Sequence, residues 1–109
     1  MADAADFRRL ALALPGTAEA QHVDRRSFRA RVIYATLSPD EQTANLRFTP
    51  EDQAFRCEAI PHGFAPVPGG WGKMGWTTVT IASVAADELA SALEAAWRAA
   101  TTKPPRRRG

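Results

Sequence analysis

Toward the C-terminal end of the chain, Leu89, Ala92, Leu93, Ala96, Trp97 and Ala100 recur at helical spacing and fall on one stripe. A helix with one broad apolar stripe needs a surface to bury it on, and this stripe is wide enough to cover a sheet. Asp87 and Glu88 open the helix, putting negative charge at the positive end of its dipole. Near the other terminus, Asp6 precedes Phe7, Leu10, Ala11 and Leu14, again at helical spacing, and Pro15-Gly16 stops the run. Two amphipathic helices thus bracket the chain, and the residues between them must supply the layer they share.

Those residues read as strands. Ser27 to Leu37 and Ala44 to Phe48 carry Phe28, Val32, Ile33, Tyr34, Leu37, Leu46 and Phe48, a β-branched and aromatic mix interrupted by Ser38-Pro39-Asp40-Glu41. Thr49-Pro50-Glu51-Asp52 predicts a helix start: the hydroxyl caps free amides, Pro suits the first helical position and the acids suit the dipole. Pro61 ends that helix. From Pro61 to Gly75 there are three prolines and five glycines, a loop composition, before Trp76 to Ile81 returns to strand character. The expected fold class is α+β: a two-layer domain with the N- and C-terminal helices packed on one face of an antiparallel sheet and the short middle helix at an edge. No internal repeat is present.

Length and charge narrow the function. The 109 residues, 45% of them hydrophobic, suit one globular domain over 1–102, with 103–109 as a disordered basic tail. No apolar stretch approaches the roughly 20 residues that span a bilayer, and Asp3 and Asp6 give the N-terminus no basic start of a signal peptide. A lone cysteine, Cys57, offers neither an intrachain disulfide nor a thiolate cage, so the expectation is a cytoplasmic protein without membrane contact. Lys103, Arg106, Arg107 and Arg108 hold four of the fourteen basic charges. The remainder has ten basic against twelve acidic residues and is net acidic, which excludes generic nucleic-acid binding by whole-body charge and leaves only a local basic face.

Several motifs reduce to structure. Gly70-Trp71-Gly72-Lys73-Met74-Gly75 fits G-x-G-x-x-G, but the dinucleotide fingerprint needs a strand before it and a helix after it, and here a strand follows. It fails the phosphate-loop pattern at Val67 and Met74. His22 and His62 stand forty residues apart with no neighbour at metal-ligand spacing, so no metal or other cofactor is expected. Neither histidine forms a recognisable catalytic couple with Ser27 or Cys57. Glu51-Asp52 and Asp87-Glu88 are first-turn charges of helices. No nucleophile, base and orienting group can be named together, so the expected protein is not an enzyme.

The densest basic cluster is Arg25, Arg26, Arg29 and Arg31, extended by Arg47 and Lys73. If the strand is continuous, alternation puts Arg29 and Arg31 together on the face opposite Phe28. Arg29, Arg31, Arg47 and Lys73 are the candidate phosphate contacts; the bland alternative is an ordinary solvated sheet face. Trp71 and Trp76, with Gly72 and Gly75, shape the glycine-rich loop. They could stack on bases, line a pocket for a small anionic ligand or a peptide, or simply lid the core.

The order of segments resembles a known family. Leu14-Pro15-Gly16, Ser27-Phe28-Arg29, Tyr34-Ala35-Thr36-Leu37, Pro39-Asp40-Glu41, Ala44-Asn45-Leu46-Arg47, Pro50-Glu51-Asp52-Gln53, Pro66 to Gly72 and Gly75-Trp76-Thr77-Thr78-Val79 together resemble the MmcQ/YjbR family of small bacterial proteins, from about Phe7 to Ala100. The resemblance implies an α+β domain similar to the frataxin-like CyaY fold and a DNA-binding label tied to a double-wing arrangement, with no enzyme activity. Iron binding is not carried over, because the first helix offers only Asp3 and Asp6. Where the family has a Gly-containing hairpin between Phe28 and Tyr34, this chain has the shorter Arg29-Ala30-Arg31-Val32-Ile33, so the turn must be remade or the strands rejoined. The expected function is non-enzymatic DNA binding through a sheet-and-loop face. The alternative is a binding module with a pocket at the loop from Pro66 to Trp76.

Overall fold

In the computed structural model, residues 2–102 are described; the expected tail, 103–109, lies outside them. Asp3 and Asp6 cap each other's backbone amides reciprocally and start helix α1 (Ala4–Ala13) upstream of Asp6. Six strands follow in two groups: β1 (Ala18–His22), β2 (Arg25–Arg29), β3 (Ile33–Leu37) and β4 (Thr43–Arg47), then β5 (Phe64–Pro66) and β6 (Trp76–Thr80). Between the groups lies α2 (Pro50–Ala59), capped as its sequence predicts by the Thr49 hydroxyl accepting from the Asp52 amide. A one-turn helix, α3 (Gly70–Lys73), joins β5 to β6, and the long α4 (Ala86–Thr101) ends the fold. Glu88 accepts from the Ala85 amide at 2.8 Å and fixes the start of α4.

The strands form one sheet in the order β1-β2-β3-β4-β6-β5, every neighbouring pair antiparallel. Helices α1 and α4 pack on one another, and α4 crosses β3 and β4. Between them and the sheet lie Phe7, Phe28, Leu37, Leu46, Val79, Leu89 and Leu93, all buried. Phe7 meets Phe28 edge-on with ring centroids 5.4 Å apart. The Trp97 indole donates to the Pro15 carbonyl at 2.9 Å, tying α4 to the end of α1. The α+β class and the paired terminal helices are thus as the sequence predicts.

Three elements and one turn differ from the sequence reading. The weakly patterned Ala18-Glu19-Ala20-Gln21-His22 becomes β1 because, at the sheet edge, it needs only backbone pairing with β2. Within the proline- and glycine-rich stretch, β5 and α3 form where a loop was expected, β5 as the opposite edge of the sheet. The strand expected to run through Ser27 to Leu37 breaks into β2 and β3 at Ala30-Arg31-Val32, closed by the Ala30 amide on the Val32 carbonyl. A bulge accompanies the break: Phe28 pairs with Ala35 and Arg29 with Ile33, leaving Tyr34 as the extra residue. Tyr34 and Ala35 are consequently both buried, and the Tyr34 hydroxyl lies 2.9 Å from the Thr17 hydroxyl.

Candidate functional site

All of the packing described above lies on one side of the sheet. Directly opposed residues of neighbouring strands point the same way, so the register defines the other side too. Phe28, Ala35, Leu46 and Thr77 are in line on the helix side. The next line, Ala20, Ser27, Thr36, Asn45, Thr78 and Ala65, crosses all six strands on the open side. Its residues are small or polar: Thr78 donates to the Asn45 amide oxygen at 2.8 Å, and the Thr36 hydroxyl accepts from the Nε of neighbouring Arg25 at 3.0 Å. Alternation also puts Arg25, Arg29, Arg47 and Trp76 on this face, with Arg47 directly opposite Trp76.

Charge separates the two faces sharply. The six strands contain a single carboxylate, Glu19, and its pairing with Phe28 turns it to the helix side. There it holds Arg8 of α1 at 3.1 Å and Arg26 at 3.4 Å. Among the described residues, the remaining ion pairs join Arg8 to Glu41, Arg9 to Asp6, and Arg98 to Glu94. Among the described residues, Arg25, Arg29, Arg31, Arg47 and Lys73 have no carboxylate within 4 Å. The open face is therefore cationic although the surrounding body is net acidic. The charge is uneven along the strands, because Asp40 lies near Arg25. The Ser38 hydroxyl and the Gln42 amide hold the Asp40 carboxyl below the usual range, with a smaller contribution from Arg25. The end bearing Arg29, Arg47 and Trp76 has no such counterweight in its strands.

Of the expected phosphate contacts, Arg29 and Arg47 share the open face and are exposed. Arg31 does not stand beside Arg29 as alternation predicts. It sits at the β2–β3 turn, where its Nε donates to the Ala100 carbonyl at 2.9 Å and caps the negative end of α4. Arg31 and Arg47 nonetheless both line a cleft of about 320 Å³, together with Phe48, Pro50, Met74 and the end of α4 at Ala99 and Ala100. Lys73 is exposed on α3, two residues from Trp71 and so on the opposite side of that turn, and it does not line this cleft.

The glycine-rich loop is a built piece of backbone. A Cβ on Gly72 would stand 2.0 Å from the Val67 carbonyl oxygen, and one on Gly75, at φ +103°, would stand 1.9 Å from that of Phe48. These glycines allow the close approach of two backbone segments. The loop presents two aromatic rings, Trp76 half-buried on the open face and Trp71 against it edge-on, centroids 6.4 Å apart. Trp71 is 62% exposed. Trp71, Gly72, Gly75 and Trp76 do not line the cleft, to which the loop contributes only Met74.

One positioning residue was not anticipated. The Gln53 side-chain amide of α2 donates to the Gly72 and Trp76 carbonyls and the Thr77 hydroxyl, at 2.9, 3.1 and 3.2 Å, clamping the Trp-bearing loop to the sheet. Its only sequence signal was its place in the Pro50-Glu51-Asp52-Gln53 stretch. Cys57 packs against the core as a small apolar residue, and burial pushes its thiol up, away from thiolate chemistry. His62 is exposed in the turn after α2. Among the described residues, no three His, Cys, Asp or Glu side chains converge as metal ligands, and no helix is long and apolar enough to cross a membrane.

The same architecture occurs in a solved structure. The chain is similar to Deinococcus radiodurans protein DR2400, whose crystal structure is described as a domain of the family model DUF419. The two are 25% identical with a TM-score of 0.79, over 94% of this chain and 81% of that one. No curated protein matches the chain. The YjbR family model matches residues 12–99, a span that contains the whole sheet, the Trp-bearing loop and most of α4. On that match, and on the helix-backed antiparallel sheet that accompanies it, the chain belongs to the YjbR family.

Proposed function

We propose that this protein is a non-enzymatic nucleic-acid-binding module that contacts DNA phosphates through the open face of its sheet, chiefly with Arg29 and Arg47 and with Arg31 at the margin. The observation that carries the reading is the segregation of charge. Among the described residues, Arg25, Arg29 and Arg47 have no carboxylate in ion-pair range and share a face whose strands present no acid, while the strand carboxylate and its ion pairs lie on the helix side. An ordinary solvated face intersperses both signs, whereas a face of one sign on an acidic body attracts a polyanion in one orientation. The test is a salt titration of binding to random-sequence DNA. It uses the full chain and a variant carrying Arg106→Gln, Arg107→Gln and Arg108→Gln, which removes most of the tail charge. Affinity of both should fall steeply with salt, the logarithmic slope growing by about 0.7 to 0.9 per phosphate contact. Failure of both to bind at low salt would overturn the reading, and binding lost with the tail arginines would move the contact to residues 103–109.

The Arg31–Arg47 cleft supports a second reading, a site for a small organic anion, since two arginines line it together with the apolar Phe48, Pro50 and Met74. Calorimetry with phenyl phosphate checks it. Millimolar or tighter binding that Arg31→Ala and Arg47→Ala each weaken is the expected result, and no measurable heat would end this reading.

A further inference from the structure

We infer that the strand bound is single, with unpaired bases stacking on Trp76 and Trp71; this rests on the reading of the open face as a nucleic-acid surface. Two features distinguish a single strand from a duplex. The first is shape. Sequence in a duplex is read by a helix or a two-stranded ribbon protruding into a groove. The centre of the open face is instead a line of short side chains across four adjacent strands, Thr36, Asn45 and Thr78 half-buried and Ser27 buried at its β2 end. With strands about 4.8 Å apart, that line is roughly 15 Å long, a shelf for extended chain rather than a ridge. A sheet of short side chains with aromatic groups at its rim suits bases that are already splayed from one another.

The second feature is the aromatic pair. Trp71 exposes 62% of its surface on a side where nothing of the described chain covers it, although tryptophan is costly to leave in water. It is held there deliberately: Gln53 fixes the carbonyls of Gly72 and Trp76 on either side of the loop, and Gly72 and Gly75 lock the backbone beneath it. Trp76 is directly opposite Arg47, so a base laid on the indole has a guanidinium beside it for its phosphate or its π-face. Stacking accepts any base and needs an unpaired one, which a duplex does not offer.

The experiment compares oligothymidylate, oligouridylate and a hairpin duplex of equal charge, with the full chain and its Trp71→Ala and Trp76→Phe variants, by fluorescence anisotropy. Circular dichroism verifies folding. Single strands should bind at least tenfold tighter than the hairpin. Trp71→Ala, at an exposed position, should lose about tenfold on single strands while keeping the salt slope, since no phosphate contact goes with it. Trp76→Phe keeps a ring and should lose less. Tighter binding of oligouridylate or of oligothymidylate would identify RNA or DNA as the source, and either supports the inference. Equal affinity for hairpin and single strand, or a Trp71→Ala variant that binds single strands as the parent does, overturns the inference and leaves the phosphate-binding reading standing. If nothing binds at low salt, that reading fails and the inference with it.

Discussion

The two faces of this sheet are made by the same strands, residue by alternate residue, yet they hold the molecule in different ways. On the helix side the side chains are large and apolar, and the charges there, Glu19 with Arg8 and Arg26, are paired. On the open side the central side chains are short and polar, and among the described residues Arg29 and Arg47 form no ion pair. The covered face therefore carries the stability, and the open face is free to be selected for something else. An uncovered sheet of apolar residues would aggregate, and one of mixed charge would be inert. A polar shelf with cations of one sign is neither.

Four outcomes break or sharpen that contrast. The largest is expected at the seam of the two faces, where the Trp-bearing loop enters β6. Gly75→Ala forces a Cβ to within 1.9 Å of the Phe48 carbonyl oxygen at φ +103° and should cost about 3–5 kcal/mol in urea unfolding. Next comes a matched pair. Leu93→Ala on the covered side should cost about 2–5 kcal/mol, whereas Thr36→Ala on the open side should cost about 1 kcal/mol or less. Equal losses would erase the distinction between the faces.

A third outcome concerns alkaline pH. Tyr34, the single tyrosine, is buried, and burial raises its phenol pKa against a small opposing pull from the Thr17 hydroxyl. Its folded value lies above its unfolded one. The stability it contributes is thus complete below pH about 10 and is lost as pH rises through the folded value. Phenolate absorbance should report the delayed titration, and Tyr34→Phe should flatten that alkaline fall in the unfolding midpoint. The smallest effect is on the open face. Arg47→Gln should move stability by no more than about 0.5 kcal/mol while lowering the salt slope of binding by about one.

How much of this was legible in the sequence depended on whether the signal was local. The stripe from Leu89 to Ala100 and the Thr49-Pro50 cap are local, and both elements form as read. β1 was not legible, because Ala-Glu-Ala-Gln-His has no strand propensity and exists as a strand only through β2. Arg31 was misplaced because alternation assumes an unbroken strand, and the three-residue turn with its bulge at Tyr34 resets the phase. The basic cluster was seen, but not what makes it a face. Ser27, Thr36, Asn45 and Thr78 span fifty-two positions and become neighbours only through register. The Gln53 clamp likewise needs the third dimension, since its acceptors lie nineteen to twenty-four residues away.

The three tryptophan indoles allow the most direct test of the central claim, since Trp71 and Trp76 stand at the open face while Trp97 lies in the helix layer, bonded to Pro15. Their side-chain N–H signals can be followed by NMR as oligothymidylate is added to the full-length protein. Binding at the open face predicts that the Trp71 and Trp76 signals shift together and saturate while Trp97 stays in place. A shift of Trp97 alone, or binding that leaves all three unmoved, would contradict it.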